Sequence, residues 1–507
     1  MNSSSRAEVA RPGGRGATAV PPSPEHPWAA RHDLTRGDSA TERRERDGVR
    51  LVRPTVAARW NSDVPFGSND GAVWAGRGLT SSVQAGVAAL WGPLSLALVP
   101  IAFRAENAAF DLAENGRDGA LRFAHAQYAT SVDVPQRFGD GAHQRVDPGQ
   151  STLRLDVAGV AAGISTANAW WGPASQFPFL LGNNAAGFPH VFVGTARPAN
   201  VWVGRLHTRV LWGRLDQSEY FDPATDASGV TRARRFAAGL IGVLQPRGLP
   251  GLELGAARFF HAPWPASGLP GRYVTRPFEG ILKKSLDEPD TPIPTDPQSQ
   301  DGENQLASLF GRWVLPRSGF EAYFEFGRDD HSWDGRDLWQ QPDHQASVLW
   351  GVRKSWRRGA RGLVAARLES LNYESHPIGV RRNGAVMYAH SSGSNQGHTQ
   401  RGQLLGADAG VGSGAGAVAA VDWYRPDGRW SASWTRVLRG RQDRPAEDGA
   451  PNDVAMDVVH SLGVERLLFA GAWDLTAGVT GSYEFNRDFG DDRRNLSVRL
   501  AVTGLPW

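Results

Sequence analysis

Two adjacent tryptophans and two adjacent asparagines are the residues best suited to bind a ligand. Trp170 and Trp171 are followed by Gly-Pro, and Asn183 and Asn184 stand shortly before His190. Aromatic rings cover the apolar faces of sugars, and amide or imidazole groups reach their hydroxyls. The intervening glycines and prolines rule out a regular helix or strand, so the stretch predicts an ordered loop. Such a loop either recognises a sugar or braces a larger fold with its tryptophans buried.

Two further stretches, residues 328–345 and 372–414, combine polar and aromatic side chains. Their candidate ligand contacts are Trp333, Trp339, His398 and Arg401. Arginine pairs with acidic groups through two parallel hydrogen bonds, which suits an acidic sugar. Both stretches also fit loops that fold inward and close a lumen, and the two roles are compatible.

The sequence shows no pattern typical of catalysis or metal binding. Carboxylates such as Glu321 and Glu325 share a polar face, but the polar lumen of a barrel supplies such pairs without acid–base chemistry. The thirteen histidines show no metal-ligand spacing. Asp-His-Ser at residues 330–332 lacks the context of a hydrolase nucleophile. We therefore expect no enzyme, no metal site and no cofactor.

Alternation of apolar and polar residues dominates the chain after residue 82. This period of two is typical of strands with one buried face. In a membrane barrel the apolar face contacts lipid. The residues predicted to face lipid include Trp473, Leu475, Val479, Leu496, Val498 and Leu500.

The connections between these strands alternate in length. Tight turns at residues 426–428 and 469–472 alternate with polar loops at residues 372–414 and 439–456. Short periplasmic turns and long external loops characterise outer-membrane barrels, whereas a soluble sandwich has no reason to sort its loops. The sequence predicts an all-β protein, a closed antiparallel transmembrane barrel of about 18 strands with long external loops. The predicted strands begin near residues 82, 94, 119, 150, 160, 189, 201, 234, 251, 305, 318, 346, 361, 416, 429, 458, 473 and 496.

The N-terminal residues differ in composition from the rest of the chain. Residues 1–50 are rich in Pro, Gly, Ser, Arg and Glu, and they lack the apolar run of a secretion signal. We expect residues 1–58 to be a disordered polar leader and residues 59–507 to form the barrel with its occluding loops. The formal charge of +3 gives no strong bias toward nucleic acid or other polyanions.

Four groups of motifs, in order along the chain, resemble those of the Wzi-type capsule assembly family of outer-membrane proteins. They are Asn-Asp-Gly-Ala-Val-Trp-Ala-Gly-Arg-Gly at residues 69–78, Asp-Val-Pro-Gln-Arg-Phe-Gly at 133–139 with Pro-Gly-Gln-Ser at 148–151, Trp-Trp-Gly-Pro at 170–173 with Asn-Asn-Ala-Ala-Gly-Phe-Pro-His at 183–190, and His-Thr-Gln-Arg-Gly-Gln-Leu-Leu-Gly at 398–406. Ala174 and Ala186 depart from the family pattern, which has glycine and proline there. These departures affect the expected geometry of the loop.

The resemblance implies a non-enzymatic outer-membrane protein that attaches or assembles capsular or extracellular polysaccharide at the cell surface. Its partners would be that polysaccharide and outer-membrane lipid, with no nucleic acid and no cofactor. Many weak contacts along a long polymer would supply the attachment. The alternative is a porin-like channel for sugars or other small solutes, which would conduct ions across a planar bilayer.

Overall fold

The computed structural model describes residues 48–221, 234–264, 271–278, 304–329, 335–340, 346–358, 362–373, 387–389, 396–443 and 454–504. These residues form a closed barrel in which neighbouring strands are antiparallel and the last strand pairs with the first. The predicted all-β barrel of eighteen strands is confirmed. None of the described helices is long and apolar enough to cross a bilayer.

Three of the strands are each interrupted once, and the other strands are continuous. In chain order the strands are β1 (Gly48–Asn61), β2 (Gly78–Trp91), β3 (Leu94–Leu98 and Ile101–Ala105), β4 (His143–Asp147 and Thr152–Val157), β5 (Val160–Ser165), β6 (His190–Thr195 and Ala199–Val201), β7 (Gly204–Asp216), β8 (Arg234–Pro246), β9 (Leu252–Pro263), β10 (Asn304–Leu315), β11 (Phe320–Asp329), β12 (Ala346–Arg357), β13 (Leu363–Asn372), β14 (Ala415–Arg425), β15 (Gly428–Asp443), β16 (Val454–Ala470), β17 (Trp473–Phe485) and β18 (Arg493–Gly504).

A few short elements lie in the connections. They are 3-10 turns at Gly119–Phe123, Arg276–Phe278 and Arg487–Phe489, the helices α1 (Arg272–Thr275) and α2 (Gly335–Gln340), and a small hairpin of Thr399–Gln400 with Gln403–Leu404. The segment of α1 covers part of the outer wall, where the Trp212 indole donates to the carbonyl of Val274 at 3.0 Å.

Two of the expectations on strands are wrong. The strand predicted near residue 119 is a 3-10 turn, Gly119–Phe123, within the connection between β3 and β4. The first strand, β1, was not predicted, and it crosses the expected boundary between leader and barrel at residues 58 and 59. Pro54 and a register shift between Val52 and Thr55 break the alternation in β1, so period two is lost there.

Side chains of β1 join the two strands that meet at the closure of the barrel. Thr55 to Asn61 pair with residues 497–503 of β18. At one end, Arg53 donates to Asp474 at 2.6 Å and to the carbonyl of Thr503 at 3.0 Å. At the other end, the Asn495 side chain accepts from the Ser62 hydroxyl at 3.1 Å. Strand β1 is therefore part of the barrel wall.

Short and long connections are sorted to opposite ends of the barrel. The strand pairs β2–β3, β4–β5, β6–β7, β8–β9, β10–β11, β12–β13, β14–β15 and β16–β17 are joined by short turns at one end, which we call the turn end. All other connections leave from the opposite end, the loop end. In outer-membrane barrels the short turns face the periplasm and the long loops face outward.

The outer wall carries an apolar surface with a ring of tryptophans at the turn end. Exposed indoles stand within or next to the short turns, at Trp91, Trp202, Trp313, Trp356, Trp423, Trp430 and Trp473. Aromatic girdles of this kind lie at the interface between hydrocarbon and water. Above the girdle, Leu475, Val479, Leu496 and Leu500 are exposed on the outer face, as the alternation predicts for residues that contact lipid. The protein is thus a transmembrane barrel of the bacterial outer-membrane type.

Candidate functional site

The loop of residues 166–189, between β5 and β6, folds into the lumen and packs against the wall. Its buried side chains Trp171, Phe177, Phe179, Leu180, Leu181 and Phe188 form one cluster with inward-facing residues of β7 to β14. We call this loop, together with the hairpin region of residues 396–414, the plug. The plug contains most of the candidate residues from the sequence.

Both tryptophans of the plug are buried. Trp171 is 0% exposed, and its ring lies against Gly239 of β8. Trp170 is 4% exposed, and its indole donates to the carbonyl of Ala174 at 3.0 Å within the same loop. As placed, neither ring offers a face to a sugar at the cell surface. Their buried surroundings favour the alternative interpretation, in which the tryptophans brace a larger fold.

Glycine at position 172 permits the close approach of the plug to the wall. Its φ is +92°, a conformation that side chains rarely adopt. A Cβ there would lie 2.5 Å from a carboxylate oxygen of Glu325 in β11. The Gly-Pro pair after the tryptophans therefore sets how deeply the loop enters the barrel.

A carboxylate of the wall, Glu369 in β13, holds the turn of the plug. Its oxygens accept hydrogen bonds from the backbone N–H groups of residues 175, 176 and 177 at 2.6, 2.9 and 2.8 Å. The hydroxyls of Ser175 and Tyr323 donate to it as well, at 2.6 and 2.5 Å. With five hydrogen bonds accepted from the protein, Glu369 is the main polar anchor of the loop. The sequence analysis did not single out Glu369.

The asparagines join the two parts of the plug to each other and to the loop between β1 and β2. The Asn183 side chain donates to the carbonyl of Asn69 at 2.8 Å, and its carbonyl accepts from the N–H of Gly71 at 2.7 Å. The carbonyl of Asn184 accepts from the Gln403 side chain at 3.2 Å. Both asparagines therefore make contacts within the protein, with their side chains partly exposed.

Two histidines among the candidates are buried and hydrogen-bonded. His190 begins β6, and its Nδ1 lies 2.8 Å from the carbonyl oxygen of Phe188. The Nε2 of His398 lies 2.6 Å from the carbonyl oxygen of Leu180, and its ring stacks on Tyr388. Burial lowers the pKa of His398 to about 4, so the ring is neutral at neutral pH and donates from Nε2.

Arg401 links the hairpin of the plug to the barrel wall. Its guanidinium lies 2.9 Å from a carboxylate oxygen of Asp147 and 3.5 Å from one of Asp216. These contacts use its charge within the protein, so an acidic sugar would have to compete with two carboxylates. The four groups of motifs meet in this region, because Gln150 also bonds to Asn168 at 2.8 Å and Gly182 to Leu405 at 3.0 Å.

The candidate loop of residues 328–345 is described at residues 328–329 and 335–340. Trp339 lies in α2 at the loop end and is 86% exposed, beside the exposed Arg336. Trp333 lies outside the described residues. Of the predicted contact residues, Trp339 alone among those described presents an open aromatic face to solvent.

A polar cavity of about 300 Å³ lies between the plug and the wall on the turn-end side. Its lining includes five arginines, Arg59, Arg353, Arg367, Arg429 and Arg499, and the carboxylates Glu321, Asp422 and Glu465. Glu465 pairs with Arg429 at 3.0 Å and with Arg499 at 3.2 Å. The cavity can hold water and small anionic or polar solutes beneath the plug.

Comparison with known proteins places the fold. No family model matches the sequence, and no curated protein matches it significantly. Among solved structures, Wzi, an outer-membrane protein involved in group 1 capsule assembly in Escherichia coli and a carbohydrate-binding β-barrel, matches with a TM-score of 0.57. This chain has the fold of Wzi. The two are 15% identical over 90% of this chain and 84% of Wzi, so the likeness to Wzi extends to the fold and not to individual site residues.

Porins give weaker matches. OccK2 of Pseudomonas aeruginosa matches with a TM-score of 0.40 and 13% identity, over 89% of this chain and 96% of that one. OccAB3 of Acinetobacter baumannii matches with a TM-score of 0.42 and 8% identity, over 90% and 98% of the two chains.

Proposed function

We propose that this barrel is a non-enzymatic protein that attaches or assembles capsular or extracellular polysaccharide at the cell surface. The observation that carries the proposal is the plug, whose loops interlock and pack against the inner wall. The described part of the plug packs inside the lumen against β7 to β14, which suits a binding protein better than an open channel. The shared fold with the carbohydrate-binding Wzi supports the same function.

We infer that the plug residues act in this function as a scaffold for the binding surface. Trp170, Trp171 and His398 are buried, as is the adjacent His190 of β6, and Arg401 is paired, so their contacts favour a structural role. The polymer would instead contact residues exposed at the loop end, of which Trp339 is the strongest candidate. An exposed indole offers a stacking face to a sugar ring, and the adjacent Arg336 would favour an acidic one.

Single contacts of this kind are weak. A long polymer that engages many barrels at once would be retained through multivalency, without one deep pocket. This explains why a surface built on a few exposed side chains would suffice.

The test is polymer retention on cells that carry a Trp339→Ala variant. We expect the variant to assemble normally, as shown by heat-modified gel mobility, and to retain less polymer than the unmodified barrel. Trp202→Ala is the matched control, because Trp202 is 88% exposed but lies at the turn end. Equal retention by both variants and the unmodified barrel would remove Trp339 from the binding surface. Equal retention by cells without the barrel would overturn the function.

The second candidate function is a porin-like channel for sugars or other small solutes, favoured by the arginine-lined cavity. A channel would require the plug to move, because residues 173, 175 and 176 of the plug line that cavity. Planar bilayer recordings separate the two functions. We expect little conductance from the intact barrel, whereas steady open currents would favour the channel.

A further inference from the structure

A row of polar side chains crosses the lipid-facing wall on four adjacent strands. Arg436 of β15 stands directly opposite His460 of β16, which stands opposite Tyr483 of β17, which stands opposite Arg494 of β18. Directly opposite residues of antiparallel strands point to the same face, with their Cβ atoms about 5 Å apart. We call these four residues the outer row.

The outer row faces outward from the barrel. Leu462 and Leu496 are two residues from His460 and Arg494 along their strands, and both are exposed on the outer wall. Phe485, next to Tyr483 on the same face of β17, is exposed as well, with the two ring centroids 4.6 Å apart. The row is therefore set in an apolar surface and does not belong to the lumen.

The height of the row on the barrel matches the outer boundary of the membrane. Tyr483 stands ten residues beyond Trp473, a tryptophan of the turn-end girdle. At a rise of about 3.4 Å and a tilt of about 40°, ten residues climb about 26 Å, close to the roughly 25 Å of the apolar band. Arg436 lies lower on the wall than Tyr483, six residues beyond Trp430. Its long side chain can extend upward to the level of Tyr483.

The arginines of the row are incompletely neutralised. Arg436 and His460 have no hydrogen-bond or ion-pair partner within the described part of the chain. Arg494 lies over the Tyr483 ring at 5.5 Å, and the Tyr483 hydroxyl donates to Asp492 at 2.6 Å. Asp492 is thus the one carboxylate shown against the row, beside two arginines. Elsewhere on the outer wall a cation has a carboxylate partner: Arg466 pairs with Asp427 at 2.5 Å.

Charged side chains cost little near the boundary of the membrane, where an anionic ligand at that depth can pair with them. The ligand must carry an anionic group at the height of the outer boundary and acyl chains that cover Leu462 and Leu496. A phosphorylated glycolipid of the outer leaflet has both features. Two guanidinium groups that flank an imidazole and a phenol suit a phosphate, which accepts several charge-assisted hydrogen bonds.

We propose that the outer row is a binding site for the phosphate group of an anionic glycolipid in the outer leaflet. Arg436 and Arg494 pair with the phosphate, His460 supplies a further donor, Tyr483 positions Arg494 through its ring, and the acyl chains lie along the apolar wall below. The site stands apart from the plug and from the polymer-binding surface, so it does not depend on the proposed function.

The test is native mass spectrometry of the full-length barrel in detergent with diphosphoryl lipid A as the probe. We expect saturable binding that weakens at least tenfold in the double variant Arg436→Gln with Arg494→Gln. Arg104→Gln is the matched control. Arg104 also faces outward near the loop end, but its opposite neighbours are Ser81 and Gln144. We expect it to bind the lipid as the unmodified barrel does.

Further arms identify the ligand group and its source. The unmodified barrel should prefer the diphosphoryl lipid to its dephosphorylated form at least tenfold, a comparison that needs no variant. Millimolar inorganic phosphate should not displace the lipid. Equal binding of both lipid forms, equal loss in the Arg104→Gln control, undiminished binding by the double variant, or displacement by inorganic phosphate would each overturn the proposal.

Discussion

The ring of Trp171 lies so close to Gly239 that a Cβ at position 239 would be 2.4 Å from its Cη2 atom. The two residues are far apart in the chain, one in the plug and the other in β8. The absence of a side chain at 239 creates the space that the indole fills. This contact sets the position of the plug against the wall.

We therefore expect Gly239→Ala to destabilise the barrel by about 1–3 kcal/mol, because the added methyl group forces the indole or the strand to move. The measurement is the midpoint temperature of heat-modified gel mobility. Gly242→Ala in the same strand is the control, since a Cβ there would meet only a methyl group of Thr208 at 3.9 Å. Equal midpoints for the two variants would show that the contact between plug and strand is loose.

Removal of the carboxylate that anchors the plug should open the lumen. In Glu369→Ala the N–H groups of residues 175–177 lose their acceptor, at a cost of about 1–3 kcal/mol for each buried group left unpaired. We expect normal assembly with frequent current openings in planar bilayers. Glu465→Ala is the control, because Glu465 pairs with two arginines of the wall, Arg429 at 3.0 Å and Arg499 at 3.2 Å. Silent recordings from both variants would mean that packing alone holds the plug.

The buried imidazole of the plug should make stability depend on pH. Burial lowers the pKa of His398 from 6.5 to about 4, so the unfolded chain binds more protons than the folded one between these values. The free energy of unfolding should fall as pH drops through this range, by about 2 kcal/mol from pH 7 to 5. In His398→Gln the side-chain amide can still donate to Leu180, and this part of the pH dependence should disappear. The test is the midpoint of heat-modified mobility across pH, and unchanged slopes would contradict the role of His398.

A charge placed on the outer wall should impair assembly. Val498 of β18 stands opposite Val479 and Trp60 on the lipid-facing side. We expect Val498→Arg to cost about 2–4 kcal/mol, because the cation must leave water at mid-strand. The measurement is the folded fraction recovered from outer membranes. Glu114→Arg, at an exposed position of the loop between β3 and β4, should leave that fraction unchanged. A harmless Val498→Arg would show that this face does not contact lipid.

The start of the barrel can be tested by truncation behind a foreign signal peptide. A chain that begins at residue 48 retains all of β1 and should assemble. A chain that begins at residue 59 lacks most of the strand that pairs with both β2 and β18. We expect it to fail, since its two neighbours would present unpaired edges within the membrane. Assembly of the shorter chain would mean that β1 is dispensable.

Much of the wall could be predicted from sequence, because strands that contact lipid on one face alternate between apolar and polar residues. Alternation in β17 and β18 is regular, and the tight turns after β14 and β16 mark the ends of neighbouring strands. The rule fails at β1, where Pro54 and a register shift disturb the alternation. It also fails at residue 119, where the chain makes a 3-10 turn within a long connection.

The candidate site was harder to predict, because the type of a residue does not determine which way its side chain points. A large aromatic side chain suits a sugar face and a packed interior equally well, and the fate of Trp171 depends on a glycine far along the chain. Asn183 and His398 likewise satisfy backbone groups that the sequence cannot place near them. The contacts of Trp171, Asn183 and His398 that place the plug are long-range.

The anchoring of the plug by Glu369 has a consequence for the order of folding. The hydrogen bonds to residues 175, 176 and 177 join positions 194, 193 and 192 apart in the chain. Contacts of such long range carry a large loop-closure entropy and form late. The plug cannot dock until β13, which carries its anchor, has joined the sheet. Docking of the plug at this anchor therefore follows the assembly of the part of the wall that contains β13.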